Sequence, residues 1–199
     1  MKRTLLISCG ISLGSLWWFW PLLAPTWAQW LGWRAPRGAV VVLAEDPRRT
    51  KVALDLWLQH PEKEFWILGW PVHQRRFQDQ WQERGFNPAH PQLRTLLEGE
   101  DTVGQFTALS HYLSSDVGQL IVVTDQAHRD RSQVIASWVM GARGVEVQSP
   151  HPGLLPKTTS KESVWRRYRD LLRVQLWRAV GWDGREIGLL MKKIHRRLT

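Results

Sequence analysis

The sequence predicts an α/β fold, a mostly parallel sheet with helices on both faces, flanked by an apolar N-terminal segment and a basic tail. Three observations carry this. Apolar runs of strand length alternate five times with segments of helical spacing between residues 38 and 150. No charged residue stands between Arg3 and Arg34. The net charge of +9 is almost confined to Lys157–Thr199, which holds twelve Lys/Arg against four Asp/Glu. The bulk of the chain is therefore near neutral, and a nucleic-acid reading from overall charge is misplaced.

The first element is the apolar one. Leu5–Leu23 supplies roughly the ~20 apolar residues a helix needs to cross hydrocarbon. Pro21 and Pro25 are expected to break it near its end, where Trp27, Trp30 and Trp33 suit an interfacial aromatic belt. A retained single-pass plasma-membrane anchor and a cleaved signal peptide both fit, the latter with Thr26 and Ala28 before the cut. Lys2 and Arg3 on one flank face Arg34 and Arg37 on the other, so charge does not select the side of the membrane. Cys9, the single cysteine, lies within this segment and reads as an apolar residue. One cysteine excludes an intrachain disulfide and a thiolate zinc cluster, and no metal site is expected.

The middle is read strand by strand. Ala39–Leu43 is a β-branched run bounded by Gly38 and Asp46-Pro47, and Val52, Leu54, Leu56, Trp57 and Leu58 follow with helical spacing. Glu64–Leu68 ends at Gly69, and Phe77 and Trp81 share a helical face before Gly85. Leu93–Leu97 is a third run, followed by a helical stripe of Val103, Phe106, Leu109 and Leu113. Leu120–Val123 is the clearest strand. Val134, Ala136, Trp138 and Val139 then precede Gly141, and Val145–Val147 closes the series. Right-handed crossovers between buried parallel strands make this a Rossmann-like three-layer sandwich. Ligands in such sheets bind beyond the strands' carboxyl ends, here residues 44–49, 69–73, 98–105 and 124–131.

Those turns carry no dinucleotide fingerprint and no phosphate-binding glycine loop. Strand one ends in Ala44-Glu45-Asp46-Pro47, whose two acids repel a pyrophosphate unless a metal ion or the guanidinium groups of Arg48 and Arg49 intervene. Asp46 also reads simply as a helix cap with Pro47 in the first turn. Gly-x-Ser-x-Gly and His-Glu-x-x-His are absent from the sequence, so the usual hydrolase and zinc-protease labels have no support.

Two motifs stand out, Glu98-Gly-Glu-Asp101-Thr102-Val-Gly-Gln105 and Val122-Val-Thr124-Asp125-Gln-Ala-His128-Arg-Asp-Arg131. An acidic-Thr-x-x-amide step opening a helix, and a strand followed by Thr-Asp-x-x-His-x-x-Arg, resemble those of the ElyC/SanA/YdcF family, which carries a domain of unknown function. The resemblance spans about residues 38 to 150. It implies ligand-binding roles for Asp101, Thr102, Gln105, Thr124, Asp125 and Arg131, and a catalytic role for His128. Gln105 stands where the family usually has Asn. The family's glycine-rich end of strand one is replaced here by Ala44-Glu45-Asp46, and its Ser-Gly-Gly after strand two by Leu68-Gly69-Trp70. These departures imply a different ligand, or a lost activity on a retained scaffold. No cofactor and no reaction follow from the resemblance.

The residues support two readings of these motifs. In one, Thr124, a helix N-terminus and Arg131 form an anion seat, and His128 moves a proton near neutral pH, the loops converging on one positively disposed pocket. In the other, Thr102 and Gln105 form a capping box, Asp125 caps the next helix, and Arg131 pairs with Asp130 or another surface acid.

In the tail, Trp165, Tyr168, Leu172, Leu176 and Ala179 recur at helical spacing, with Arg166, Arg167, Arg169 and Arg173 elsewhere. Beyond Gly181 and Gly184, Ile187, Leu190, Met191, Ile194 and Leu198 form a second stripe. Such basic amphipathic helices either pack on the sheet domain or lie on anionic lipid; no nucleic-acid reader motif accompanies them. Three segments result: residues 1–37, anchor or signal and linker; 38–156, the YdcF-like α/β domain; and 157–199, the tail. The expected function is a membrane-tethered domain binding an anionic small-molecule or lipid-linked ligand, a lipid phosphate or a nucleotide-like group, in cell-envelope or peptidoglycan-precursor metabolism. The alternative is a noncatalytic membrane scaffold with a degenerate site.

Overall fold

A computed structural model describes residues 2–87, 89–158 and 162–184, with the backbone path alone over 2–13 and 72–74. Five strands form one parallel sheet in the order β3-β2-β1-β4-β5: β1 Arg37–Leu43, β2 Glu64–Leu68, β3 Leu93–Leu96, β4 Val117–Val123 and β5 Glu146–Gln148. Among the described residues there are six α-helices: α1 Lys2–Trp30, α2 Pro47–Trp57, α3 Pro71–Glu83, α4 Thr102–Tyr112, α5 Arg129–Met140 and α6 Val164–Val180. The α/β, Rossmann-like architecture expected from the alternation is what the structure has.

β1 is central, in register with β2 on one side (Ala39 beside Glu64, Leu43 beside Leu68) and β4 on the other (Val42 beside Val123). Its residues from Gly38 to Leu43 are all buried, which explains the unbroken β-branched run: a strand covered on both faces has no polar side. Val40 and Val42 point to α2 and α3, where Ala53, Leu54, Trp57, Phe77 and Trp81 pack with Phe65 and Ile67. Ala39, Val41 and Leu43 point the other way, to Phe106 and Leu109 of α4 and Ile135 and Val139 of α5. Trp57 and Trp81 bury their rings and donate their indole N–H groups to Lys63 O and Asn87 O, each at 2.7 Å. β3 is an edge strand, and only Leu96 of its four residues is buried.

Helix α1 continues through both prolines, contrary to the expected break. A proline lacks the N–H that would bond the carbonyl four residues earlier, so Pro21 frees Trp17 O and Pro25 frees Pro21 O. A tertiary hydrogen bond takes up the first, and the second packs against the domain. Arg178 of α6 donates Nη2 to Trp17 O at 2.7 Å and Nη1 to Trp18 O at 3.2 Å, with its guanidinium carbon 4.6 Å from the centroid of the Trp17 ring. Pro21 O faces Gly141, which opens a 3-10 turn after α5; a β-carbon at position 141 would fall 2.0 Å from that oxygen. Pro21 and Ala24 are buried there, and Trp18 and Phe19 pack on Trp138. The second half of α1 is thus docked side-on. Among the described residues no helix is both long and apolar enough to cross a membrane.

Helix α6 lies over α4 and α5. It turns Asp170, Val174 and Gln175 inward and leaves Trp165, Tyr168 and Leu172 exposed. Of the two placements the sequence left open for the stripe, packing on the domain is not adopted: Leu171, Val174 and Trp177 pack on the core and Asp170 and Arg173 form ion pairs instead. The second stripe, Ile187 to Leu198, lies outside the described residues.

Candidate functional site

The chain leaves β1 for α2 on one face and β4 for α5 on the other, so the carboxyl ends of these neighbouring strands flank the crevice where such sheets bind ligands. Arg49, one turn into α2 and only 5% exposed, fills it from one side. Its Nη1 donates to Leu43 O at 3.1 Å, Glu45 lies 3.5 Å away, and Nη2 is ion-paired with Asp125, itself buried just beyond β4. Asp125 also accepts from the backbone N–H of His128 at 2.9 Å, so it shapes the turn before α5, whose N-cap is His128 and not Asp125 as the capping reading expected. Asp46 is itself the N-cap of α2: it accepts from Arg48 N, and the Arg48 side-chain hydrogen bond holds its carboxyl below the usual carboxylate range.

His128 and Arg131 turn toward each other and meet on one carboxylate. Nδ1 of His128 is hydrogen-bonded to Glu162 Oε1, while Nε of Arg131 stands 3.0 Å from Glu162 Oε2. His128 Nε2 is 3.8 Å from Asp125 Oδ2. Arg131 Nη1 donates to Asp170 Oδ2 at 2.9 Å. On α6, Arg173 lies 3.9 Å from Asp170 and donates to Asp101 at 2.6 Å and to Asp183 at 2.6 Å. Burial pulls the Arg173 guanidinium down, but Asp101 and then Asp183 outweigh it, and it is held above the usual arginine range.

The result is a chain of alternating acidic and basic side chains along the carboxyl edge of the sheet: Glu45, Arg49, Asp125, His128, Glu162, Arg131, Asp170, Arg173, Asp101. It corrects the expected positively disposed pocket, since each cation already faces a carboxylate. Arg131 pairs with Glu162 and Asp170, while Asp130 takes Arg129. Glu162, Asp170 and Arg173 were missed as site residues because the tail read as a cationic surface helix. The one available signal was Asp170, a lone acid across the helix from the apolar stripe.

The two motifs are treated differently. Thr124, Asp125, His128 and Arg131 stand together at the crevice. Asp101 caps α4 through Gly104 N at 2.9 Å and joins the site through Arg173; Thr102 is the first helical residue rather than the cap. Gly99 closes over the start of α4, where a β-carbon would fall 2.3 Å from Gln105 N, and its φ of +84° suits glycine. Gln105 is buried, and its Nε2 has no partner among the described residues. The same holds for Thr124 Oγ1, Thr50 Oγ1 and Ser132 Oγ. Buried polar atoms without partners are costly, and Thr124 Oγ1 is one that stands at the carboxyl end of β4.

Chemically, the cluster offers an imidazole held by a carboxylate, a guanidinium beside it and a buried hydroxyl below. That set can recognise an anionic group and hold a proton against it. Among the described residues no group of three His, Cys, Asp or Glu is arranged to hold a metal ion. A cavity of about 710 Å³ lies at the opposite, amino end of the strands, lined by Arg34, Arg37, Lys63 and Gln119, away from both motifs. No family model matches this chain, and no curated protein or solved structure matches it.

Proposed function

We propose that this protein is a membrane-tethered, YdcF-like domain of the cell envelope that binds an anionic ligand, a lipid-linked or free phosphate, between His128 and Arg131. The observation that carries this reading is their shared ion pairing with Glu162 at the crevice edge. A carboxylate paired with an imidazole and a guanidinium has the charge of a bound anion. In this reading Glu162 holds the seat until a phosphate displaces it, and Asp101, Thr102 and Gln105 support the neighbouring helix start.

The tether is α1. Its docked half runs from Trp17 to Ala28, leaving residues 2–16, about 22 Å of helix, against a hydrocarbon core of about 30 Å. The domain therefore sits pressed to the plasma-membrane surface with the Trp-rich half of α1 at headgroup depth and the basic amphipathic tail alongside. Protease accessibility in intact and opened cells assigns the face.

Binding of inorganic phosphate and of an alkyl phosphate to the full chain, by calorimetry, tests the seat. His128→Ala, Arg131→Ala and the charge-preserving Arg131→Lys are the variants. Folded variants that bind both probes as the wild type does, and that fully complement a deletion strain under envelope stress, would reject the proposal. That outcome would favour a second reading, a noncatalytic membrane scaffold, which the internal pairing of every cation in the charge chain also supports.

A further inference from the structure

We infer that the outward face of α6 is a second membrane contact, a helix lying in the plane of an anionic bilayer and separate from the α1 tether. The inference rests on the membrane reading above for the presence of a bilayer, and on the orientation of α6 for the contact itself. Trp165, Tyr168 and Leu172 are 76%, 62% and 63% exposed, in a helix whose opposite side carries the buried Asp170 and Val174. Amphipathic helices normally bury the apolar side on their own domain. Here the domain side combines Leu171, Val174 and Trp177, packed on the core, with the ion-paired Asp170 and Arg173, and a second group of apolar side chains is presented outward.

Three features select a lipid surface as the occupant. Exposed Trp and Tyr are the side chains favoured at the headgroup boundary, where one edge is apolar and the other wet. Arg166 and Arg169 are exposed on the rim of the stripe, Arg169 also pairing with Asp170 at 2.8 Å, and a cation near an anionic surface contributes about 1 kcal/mol, or roughly fivefold in occupancy. The stripe's helix is also joined to α1: Arg178 bonds Trp17 O and Trp18 O, beside the exposed rings of Trp17 and Trp20. A bilayer that accepts the aromatic surface of α1 is thus already next to α6.

The test places one environment-sensitive fluorophore on the full chain. In a Cys9→Ser background, Leu172→Cys carries the label on the stripe, and Lys51→Cys carries it on α2, across the sheet. The protein is reconstituted into vesicles of phosphatidylcholine with or without phosphatidylglycerol, and flotation is measured in parallel. The expected result is a blue shift and loss of iodide quenching at position 172 with anionic vesicles, weaker with neutral ones, and no change at position 51. Replacing Arg166 and Arg169 by Gln should reduce the lipid-shielded fraction by up to about fivefold for each charge.

Chain that floats with vesicles while the label at 172 stays quenched overturns the inference and leaves the tether standing. Chain that does not float overturns the membrane reading itself. A shielded label in detergent without lipid, lost on dilution or on removal of residues 185–199, assigns the face to a second copy or to the tail and also overturns the inference.

Discussion

Replacing Gly141 by Ala adds one methyl group at the point where α1 meets the domain. The backbone there is ordinary right-handed helix, φ −61°, so Ala is conformationally acceptable, and restricting the unfolded chain would by itself stabilise the fold by about 0.4–1 kcal/mol. Sterics decide the sign. The new β-carbon would stand 2.0 Å from Pro21 O and 2.9 Å from Pro21 C, and both are backbone atoms that no rotamer change can move. Helix α1 must withdraw by more than an ångström, loosening Pro21, Ala24 and the packing of Trp18 and Phe19 on Trp138. Overpacking of this kind costs about 1–3 kcal/mol, leaving a net loss of about 1–2 kcal/mol after the unfolded-state gain. Amide hydrogen exchange reads it directly: protection over residues 17–30 should fall by about five- to thirtyfold while the strands stay protected. Gly14→Ala, with nothing within 4 Å of its added carbon, is the control and should not lower protection. Unchanged exchange in Gly141→Ala would refute the docking geometry.

Asp170→Ala should cost about 3–5 kcal/mol, because Arg131 and Arg173 then face each other with their shared carboxylate removed. Thermal unfolding should shift by about 6–20 °C, and a loss below about 1 kcal/mol would break the charge chain as an energetic unit. Glu162→Gln keeps the shape of the seat and removes its charge; if Glu162 competes with phosphate, affinity should rise about ten- to hundredfold, and equal or weaker binding in calorimetry counts against competition. Asp46→Asn retains the α2 cap without the charge. The folded-state pKa of Asp46 is lowered by Arg48, so its contribution is present above about pH 4 and lost as pH falls through the depressed value. Denaturant titrations should therefore show wild type and Asp46→Asn differing by a constant amount from pH 5 to 8 and converging in acid.

The sheet was legible because burial on both faces writes itself into sequence. Ala39–Leu43, Glu64–Leu68 and Leu120–Val123 are runs with no solvent side, and the turns between them are marked by Gly and Pro. Asp46 was legible as a helix cap, since that interaction is local. The rest depended on distance. Periodicity placed Trp165, Tyr168 and Leu172 on one face of α6 but held no information about which face meets the domain; that is set by Asp170 and Arg173 finding partners on α5 and α4. The grip of Glu162 on His128 and Arg131 joins positions more than thirty residues apart, and no spacing rule reaches that far. Pro21 and Pro25 read as helix breakers because the groups that α1 docks on, Arg178 and Gly141, lie far along the chain.

Those two prolines also impose an order of events. The carbonyl of Trp17 is answered by a guanidinium 161 residues downstream, so during synthesis α1 emerges long before its ladder can be completed. Its attachment to the domain can be sealed only once α6 has left the ribosome, so the first helix made is among the last to be locked in place.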